Sequence, residues 1–246
     1  MAVWQWTLLA LAAFVSGFGK TGIPGVGIMS VAVFANVLPA REATGVVLPL
    51  LIVGDVVAVL LYRRHTQWSH LWGLLPPTIA GVVLGWQALR VTNDAQTARL
   101  VGVLLATMLA VHLWRKRHAM ETETKASQAP RWFAWLTGLF AGFATQVANA
   151  AGPVMLIYLL AMRLPKMEFL GTGAVFFLAV NLFKVPFMVQ LDLINAGSLT
   201  LNLWLAPAVV AGALVGRAVA GRVNQRAFEV AALTLTALAT AKLLLF

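Results

Sequence analysis

The stretch SGFGKTGIPGVG, residues 16–27, resembles a phosphate-binding loop, and how it is read decides the fold. Gly17 to Gly22 fit the spacing G-x-G-x-x-G, and Gly19-Lys20-Thr21 matches the end of a nucleotide-binding P-loop. A P-loop needs a glycine five positions before Gly19, where this chain has Phe14. A dinucleotide fingerprint needs a strand before it, a helix after it and an acidic residue about 20 positions on. Glu42 lies near that distance, but the flanking sequence is unbroken apolar chain on both sides.

That apolar context extends to the ends of the chain. Of 246 residues, 61% are hydrophobic and 11% charged, far from the usual balance of a soluble domain. Apolar segments fall near residues 3–16, 25–38, 44–62, 71–89, 97–114, 132–145, 154–162, 169–189, 199–216 and 226–246. The alternation of an outer-membrane barrel is absent, so the class expected is all-α, a polytopic membrane protein. Basic residues gather in the short loops between apolar segments, as membrane topology requires, so the net charge of +10 does not point to nucleic acid. No Lys or Arg precedes the first apolar segment, so a cleaved signal peptide is not expected. Without cysteine there is no thiol nucleophile and no thiolate metal site.

The polar stretch at 115–131 divides the chain into a first repeat, 1–114, and a second, 132–246. Each runs through a Gly/Ala-rich break with a proline (GKTGIPG, VANAAGP), a short apolar segment, then LPAREATG or LPKMEFLG, a long helix and two more spans. Pro24 and Pro153 are 129 residues apart. Pro39 and Pro165, Glu42 and Glu168, Gly45 and Gly171, and Asp55 and Asn181 are each 126 apart. Gly81 and Gly212, and Gly85 and Gly216, are 131 apart. So many matches in order are what a duplication leaves.

The segment 25–38 would be roughly 21 Å long as a helix, too short for a hydrocarbon core of about 30 Å. Each broken pair is therefore one interrupted span or a hairpin that returns to its own side. Charge separates the two. With hairpins, one side receives Arg63, Arg64, Arg115, Lys116, Arg117, Lys125, Arg131, Arg163, Lys166, Arg217, Arg222 and Arg226, the other only Arg41, Arg90, Arg99 and Lys242. With single spans the same residues divide evenly. The positive-inside rule favours hairpins, both termini outside and the linker cytoplasmic. The halves then form two inverted-topology repeats, each a re-entrant-like pair followed by three transmembrane helices.

In this arrangement the breaks meet near the midplane, where irregular backbone must line a cavity or be buried in protein. Short helices starting just after Pro24 and Pro153 would aim their free N–H groups and positive dipole ends at that place. Half-helix N-termini in inverted repeats serve as anion sites in secondary transporters. The candidate anion-binding residues are Gly19, Lys20, Thr21, Gly22 and Gly25 in the first break, with Gln146, Asn149 and Gly152 in the second. The alternative is that small residues simply permit close helix packing while Lys20 snorkels to an interface.

GFGKTGIPGVG, followed by LPAREATGVVLPLLIVGDVVAVLLYRRH at 38–65, resembles the sulfite exporter TauE/SafE family, also called the toluene sulfonate uptake permease family. The resemblance extends over essentially the whole chain and implies a multi-helix secondary carrier. Its implied substrates are small sulfur-containing anions: sulfite, sulfonates, sulfoacetate or thiosulfate. Export, the cell inner membrane, and no cofactor are the corresponding expectations.

Ionisable residues inside membrane segments are costly and mark function by default. Asp55 either carries a coupling proton or neutralises Lys20 or Lys184. Lys184, three residues after Asn181, is either a second anion ligand or the partner of Asp55, with the partner role favoured. Glu42 and Glu168 are expected as paired helix-start caps. His65, His70, His112 and His118 lack metal-ligand spacing and are expected to be solvated or interfacial. No base, nucleophile and orienting group come together, so an enzyme is not expected. A passive anion channel and a non-transporting accessory subunit remain as alternatives to a carrier.

Overall fold

The computed structural model describes residues 2–91, 131–228, 230 and 234. The regular elements among them are helical. They are α1 (Val3–Thr21), α2 (Gly27–Val37), α3 (Ala40–Tyr62), a 3-10 turn (Arg63–His65), α4 (Trp68–Val91), α5 (Arg131–Ala148), α6 (Ala151–Ala161), α7 (Lys166–Gln190) and α8 (Ala196–Arg222). The expected segment 97–114 with His112, the linker up to residue 130 with His118, and most of 226–246 lie outside the described residues. By length and composition, α3 with its following turn, α7 and α8 can each cross a bilayer, while α6 is a shorter apolar helix.

Proline sets the starts of the long helices α3 and α7. Leu38 ends α2 in an extended conformation (φ −118°, ψ 155°) because the residue before a proline is pushed out of the helical region. Pro39 and Pro165 then occupy the cap positions with φ near −50° (−50° and −53°). Their carbonyls accept from Ala43 N (2.8 Å) and Phe169 N (2.9 Å). The caps expected of Glu42 and Glu168 are thus displaced: each glutamate is the third helical residue and neither α3 nor α7 has a side-chain cap bond. In a first turn a carboxylate acts instead on the positive end of the helix dipole. α8 is capped by side chains: Asn195 Oδ1 accepts from Ser198 N (3.0 Å) and Ser198 Oγ accepts from Asn195 N (2.9 Å).

Glycine lets the helix backbones touch. α1 packs along α8, and α4 along α5. Gly212 lies against Phe14, and Gly216 against Phe18 and Gly22, so numbers rise together and α1 and α8 run parallel. Gly81 lies against Leu139 and Phe143, and Gly85 against Phe143 and Gln146, so α4 and α5 also run parallel. α3 and α7 are antiparallel: Gly45, near the start of α3, abuts Leu193 beyond the end of α7, while Gly171, near the start of α7, abuts Tyr62 and Thr66. The short helices α2 and α6 pack on α1 and α5 respectively.

The apolar core divides in the same way. One cluster joins α1, α2 and α3 to α8 through Leu9, Phe34, Leu50 and Val209. The other joins α4, α5, α6 and α7 through Leu74, Phe133, Ile157 and Phe176. Large apolar side chains on the outside, among them Leu60, Leu203 and Trp204, are the surface a lipid-facing helix presents. Trp4, Trp68, Trp72, Trp132 and Trp135 are exposed in the first two turns of α1, α4 and α5, where interfacial anchors belong.

Candidate functional site

The first break is the turn between α1 and α2, where Gly25 takes φ 94°, a left-handed conformation open to glycine. The second is shorter. Asn149 ends α5 at φ 50°, a region asparagine enters more readily than most residues, and α6 begins two residues later. Neither short helix starts just after its proline as expected. α2 begins at Gly27, three residues past Pro24, and α6 begins at Ala151, which makes Pro153 its third residue. The first turn of a helix has no use for its N–H groups within the helix, so α6 accepts Pro153 there, while Pro24 lies in the turn ahead of α2.

A cavity of about 90 Å³ has both breaks in its wall, with Gly19, Lys20, Pro24 and Gly25 from the first and Asn149, Gly152 and Pro153 from the second. A Cβ built on Gly27 or Gly152 meets nothing within 4 Å, so the first turns of α2 and α6 open directly onto space. Gly19 is held for a different reason: its Cβ would stand 2.7 Å from Gly27 N, so only glycine allows α1 to end against the start of α2. The far wall is apolar, with Leu51, Leu156 and Phe177 among its residues.

Lys20 carries the charge into the cavity. Its Nζ lies 2.6 Å from Asp55 Oδ1 and 4.4 Å from the centroid of the Phe177 ring, and its side chain keeps 14% exposure. Its stem rests on Gly54, one residue before Asp55, where a Cβ would come within 3.1 Å of Cγ. Asp55 is wholly buried, and its other oxygen accepts from Asn181 Nδ2 at 2.6 Å. Lys184, favoured as the partner of Asp55, turns instead to the second break. Its Nζ donates to Thr145 O (2.6 Å), Thr145 Oγ1 (3.1 Å) and Asn149 Oδ1 (2.6 Å). Asn149 Nδ2 in turn donates to Thr44 O (3.1 Å), tying the break to α3.

Of the residues expected at the site, Gly19, Lys20, Gly25, Asn149, Gly152 and Asn181 line the cavity. Thr21, Gly22 and Gln146 do not. Thr21 Oγ1 donates to Ala213 O (2.5 Å) and its carbonyl accepts from Tyr62 OH (2.8 Å). Gly22 packs on Gly216, and Gln146 is buried against Gly85. Thr21 follows Lys20 in the chain, but a helix turns about 100° per residue, so neighbours face different partners. The cavity includes Ser16 and Thr145, which sequence reading passed over. They stand four residues before Lys20 and Asn149, on the helix face that leads into each break, and that spacing was the available signal. The same positions are matched by the offset of 129 between Pro24 and Pro153.

His65 and His70, the two histidines among the described residues, stand apart from the cavity. His65 lies in the exposed 3-10 turn, and His70 Nδ1 is 3.1 Å from the hydroxyl of Tyr158 on α6.

Neither a curated protein nor a solved structure matches the chain. The sequence model described as Sulfite exporter TauE/SafE matches residues 9–243, nearly the full length, and the chain therefore belongs to the sulfite exporter TauE/SafE family.

Proposed function

We propose that this chain is a secondary transporter that exports a small sulfur-containing anion, such as sulfite, a sulfonate, sulfoacetate or thiosulfate, across the cell inner membrane. The observation that carries the proposal is the cavity walled by both breaks, with the Lys20 ammonium and the open first turns of α2 and α6 in its lining. Positive helix ends and a cation in a largely apolar enclosure favour an anion. Water-poor surroundings make that attraction stronger than it would be in solution.

An inverted repeat accounts for the packing. Exchanging the halves turns α1 against α8 into α5 against α4, and leaves α3 against α7 unchanged. It also turns Gly45 beside the loop after α7 into Gly171 beside the turn after α3. Asp55 and Asn181 hold matched positions and bond to each other, which belongs on a two-fold axis relating the halves. In inverted repeats such an axis runs in the membrane plane, which supports a cavity near the midplane. Hairpins are supported by the packing of each short helix back on its predecessor. The cytoplasmic end would hold Arg63, Arg64, Lys166 and Arg222; Lys166 Nζ reaches the end of α8 at Ala220 O (2.6 Å) and Val223 O (2.7 Å).

The direct test is thermal unfolding of the detergent-purified protein with sulfite, sulfate, thiosulfate, sulfoacetate, taurine, simple carboxylates and chloride. A bound ligand raises apparent stability by mass action. A selective shift for sulfur anions, lost in the double variant Lys20→Ala/Asp55→Asn, is the expected result. An unresponsive protein would leave the glycine breaks as packing devices in an accessory subunit. In proteoliposomes, uphill accumulation driven by a proton gradient is expected of the carrier, with Asp55→Asn testing whether that carboxyl takes part in coupling. Flux that only follows the anion's own gradient would mark a channel.

A further inference from the structure

Lys184 is fully buried and stands outside the cavity lining, yet its nitrogen reaches two residues within that lining. Nζ lies 2.6 Å from Thr145 O and 3.1 Å from Thr145 Oγ1 in the last turn of α5, and 2.6 Å from Asn149 Oδ1 just beyond it. An ammonium can donate to all three oxygens and a neutral amine to two of them, so the tie holds in either protonation state. The Asn149 amide is held at its other end as well, since Nδ2 donates to Thr44 O on α3 at 3.1 Å. Two such partners leave one orientation for the amide, with its oxygen toward the lysine.

Asn149 is the pivot of the second break. Its φ of 50° makes the turn that ends α5, and α6 starts at Ala151, two residues on. A residue other than glycine keeps a left-handed backbone only where its surroundings hold it there, and here Lys184 and Thr44 do so. Fixing Asn149 fixes the direction in which α6 leaves the break. It thereby aims the N–H groups of that first turn, which have no acceptor within the helix, and Gly152 among them lines the cavity.

The first break is tied at a matched place. Lys20 stands where Asn149 does, at the offset of 129, and it pairs with Asp55, whose match Asn181 comes three residues before Lys184. Donor and acceptor are exchanged between the halves. The first break supplies a lysine and its long helix the oxygen, whereas the second break supplies the oxygen and its long helix the lysine. Lys20 lines the cavity and Lys184 does not.

We propose that Lys184 is a positioning residue of the anion site: it touches no ligand, and, anchored on Thr145, it holds Asn149 so that the first turn of α6 faces the bound anion. The proposal rests on the anion site described above and adds the device that aims one of its two helix starts.

The test is a thermal-stability titration of the full chain in detergent with sulfite, thiosulfate and sulfoacetate. It compares the wild type with Lys184→Met, Asn149→Gly and the double variant. Methionine keeps most of the length of the side chain without its donor, and glycine keeps the left-handed turn without the amide. The expected result is a Kd raised about five- to tenfold in each single variant, the worth of one well-aimed hydrogen bond. No further rise is expected in the double variant, because both changes cut the same tie. Losses that multiply in the double variant would mean that Lys184 acts on the anion independently of Asn149, and would overturn the proposal. An unchanged Kd in folded Lys184→Met would overturn it too, and reduce the lysine to a packing element read in the unfolding temperature alone. No shift of the wild type with any of the three anions would instead remove the anion site, and the proposal with it. Should Lys184→Met not fold, Asn149→Gly decides: weaker binding supports the tie, and unchanged binding overturns it.

Discussion

Lys20 and Asp55 form a pair that neither side chain can lose alone. Asp55 has no access to solvent, so Lys20→Ala strands a buried carboxylate. Removing one partner of a buried pair costs about 3–5 kcal/mol, whereas removing both charges restores much of that. The expected outcome is a large drop in unfolding temperature for Lys20→Ala and a smaller one for Lys20→Ala/Asp55→Asn, read by thermal denaturation in detergent. Additive losses would show that the 2.6 Å contact carries no coupling. Gly27 and Gly152 give the opposite pattern. A methyl at either place meets no atom, so alanine should change stability by no more than about 1 kcal/mol. It narrows the space at the two helix starts, so anion binding should weaken in the same titration. Unaltered binding in both variants would remove these turns from the ligand's surroundings.

At the level of the element, the contacts α1 with α8 and α4 with α5 depend on glycine backbone approach. A Cβ on Gly212 would collide with the carbonyl of Phe14, and one on Gly81 with the carbonyl of Leu139. Backbone cannot yield as a side-chain tip does, so Gly212→Ala and Gly81→Ala should each cost about 1–3 kcal/mol. Gly221→Ala, with nothing within 4 Å, serves as the neutral control on α8. Similar losses at the two matched positions would agree with equivalent roles in the two halves. A loss confined to one would separate the halves. Between membrane helices there is no hydrophobic drive to compensate, because lipid is as apolar as the helix faces.

For the whole molecule, the orientation can be read chemically because the chain contains no cysteine. Single cysteines at Arg64, Arg163 and Arg222 are expected to react with a membrane-impermeant thiol reagent from the cytoplasmic side. A cysteine at Arg90 should react from the outside. Labelling of Arg163→Cys from the face opposite to Arg64→Cys would rule out the hairpin arrangement, since the turn between α6 and α7 would then lie across the membrane from the turn after α3.

Class, family and the order of the described helices were legible in the sequence because they depend on local chemistry, whereas the starts of α2 and α6 were not. Apolar run length, the prolines at 24, 39, 153 and 165, and glycine at matched offsets act over one or two helical turns. The breaks were legible for the same reason, and so was the presence of Lys20 and Asn149 in them. The partners of the buried charges were not. Asp55 had Lys20 and Lys184 as candidate partners along the chain, with Lys184 favoured, and only the packing of α1 on α3 and the reach of Lys184 from α7 to Thr145 and Asn149 assigned one to each side. The same packing turned Thr21, Gly22 and Gln146 toward α8 and α4 and brought Ser16 and Thr145 into the cavity wall. A helix offers every direction around its axis, and which of them faces a ligand is decided by the helices that take up the others.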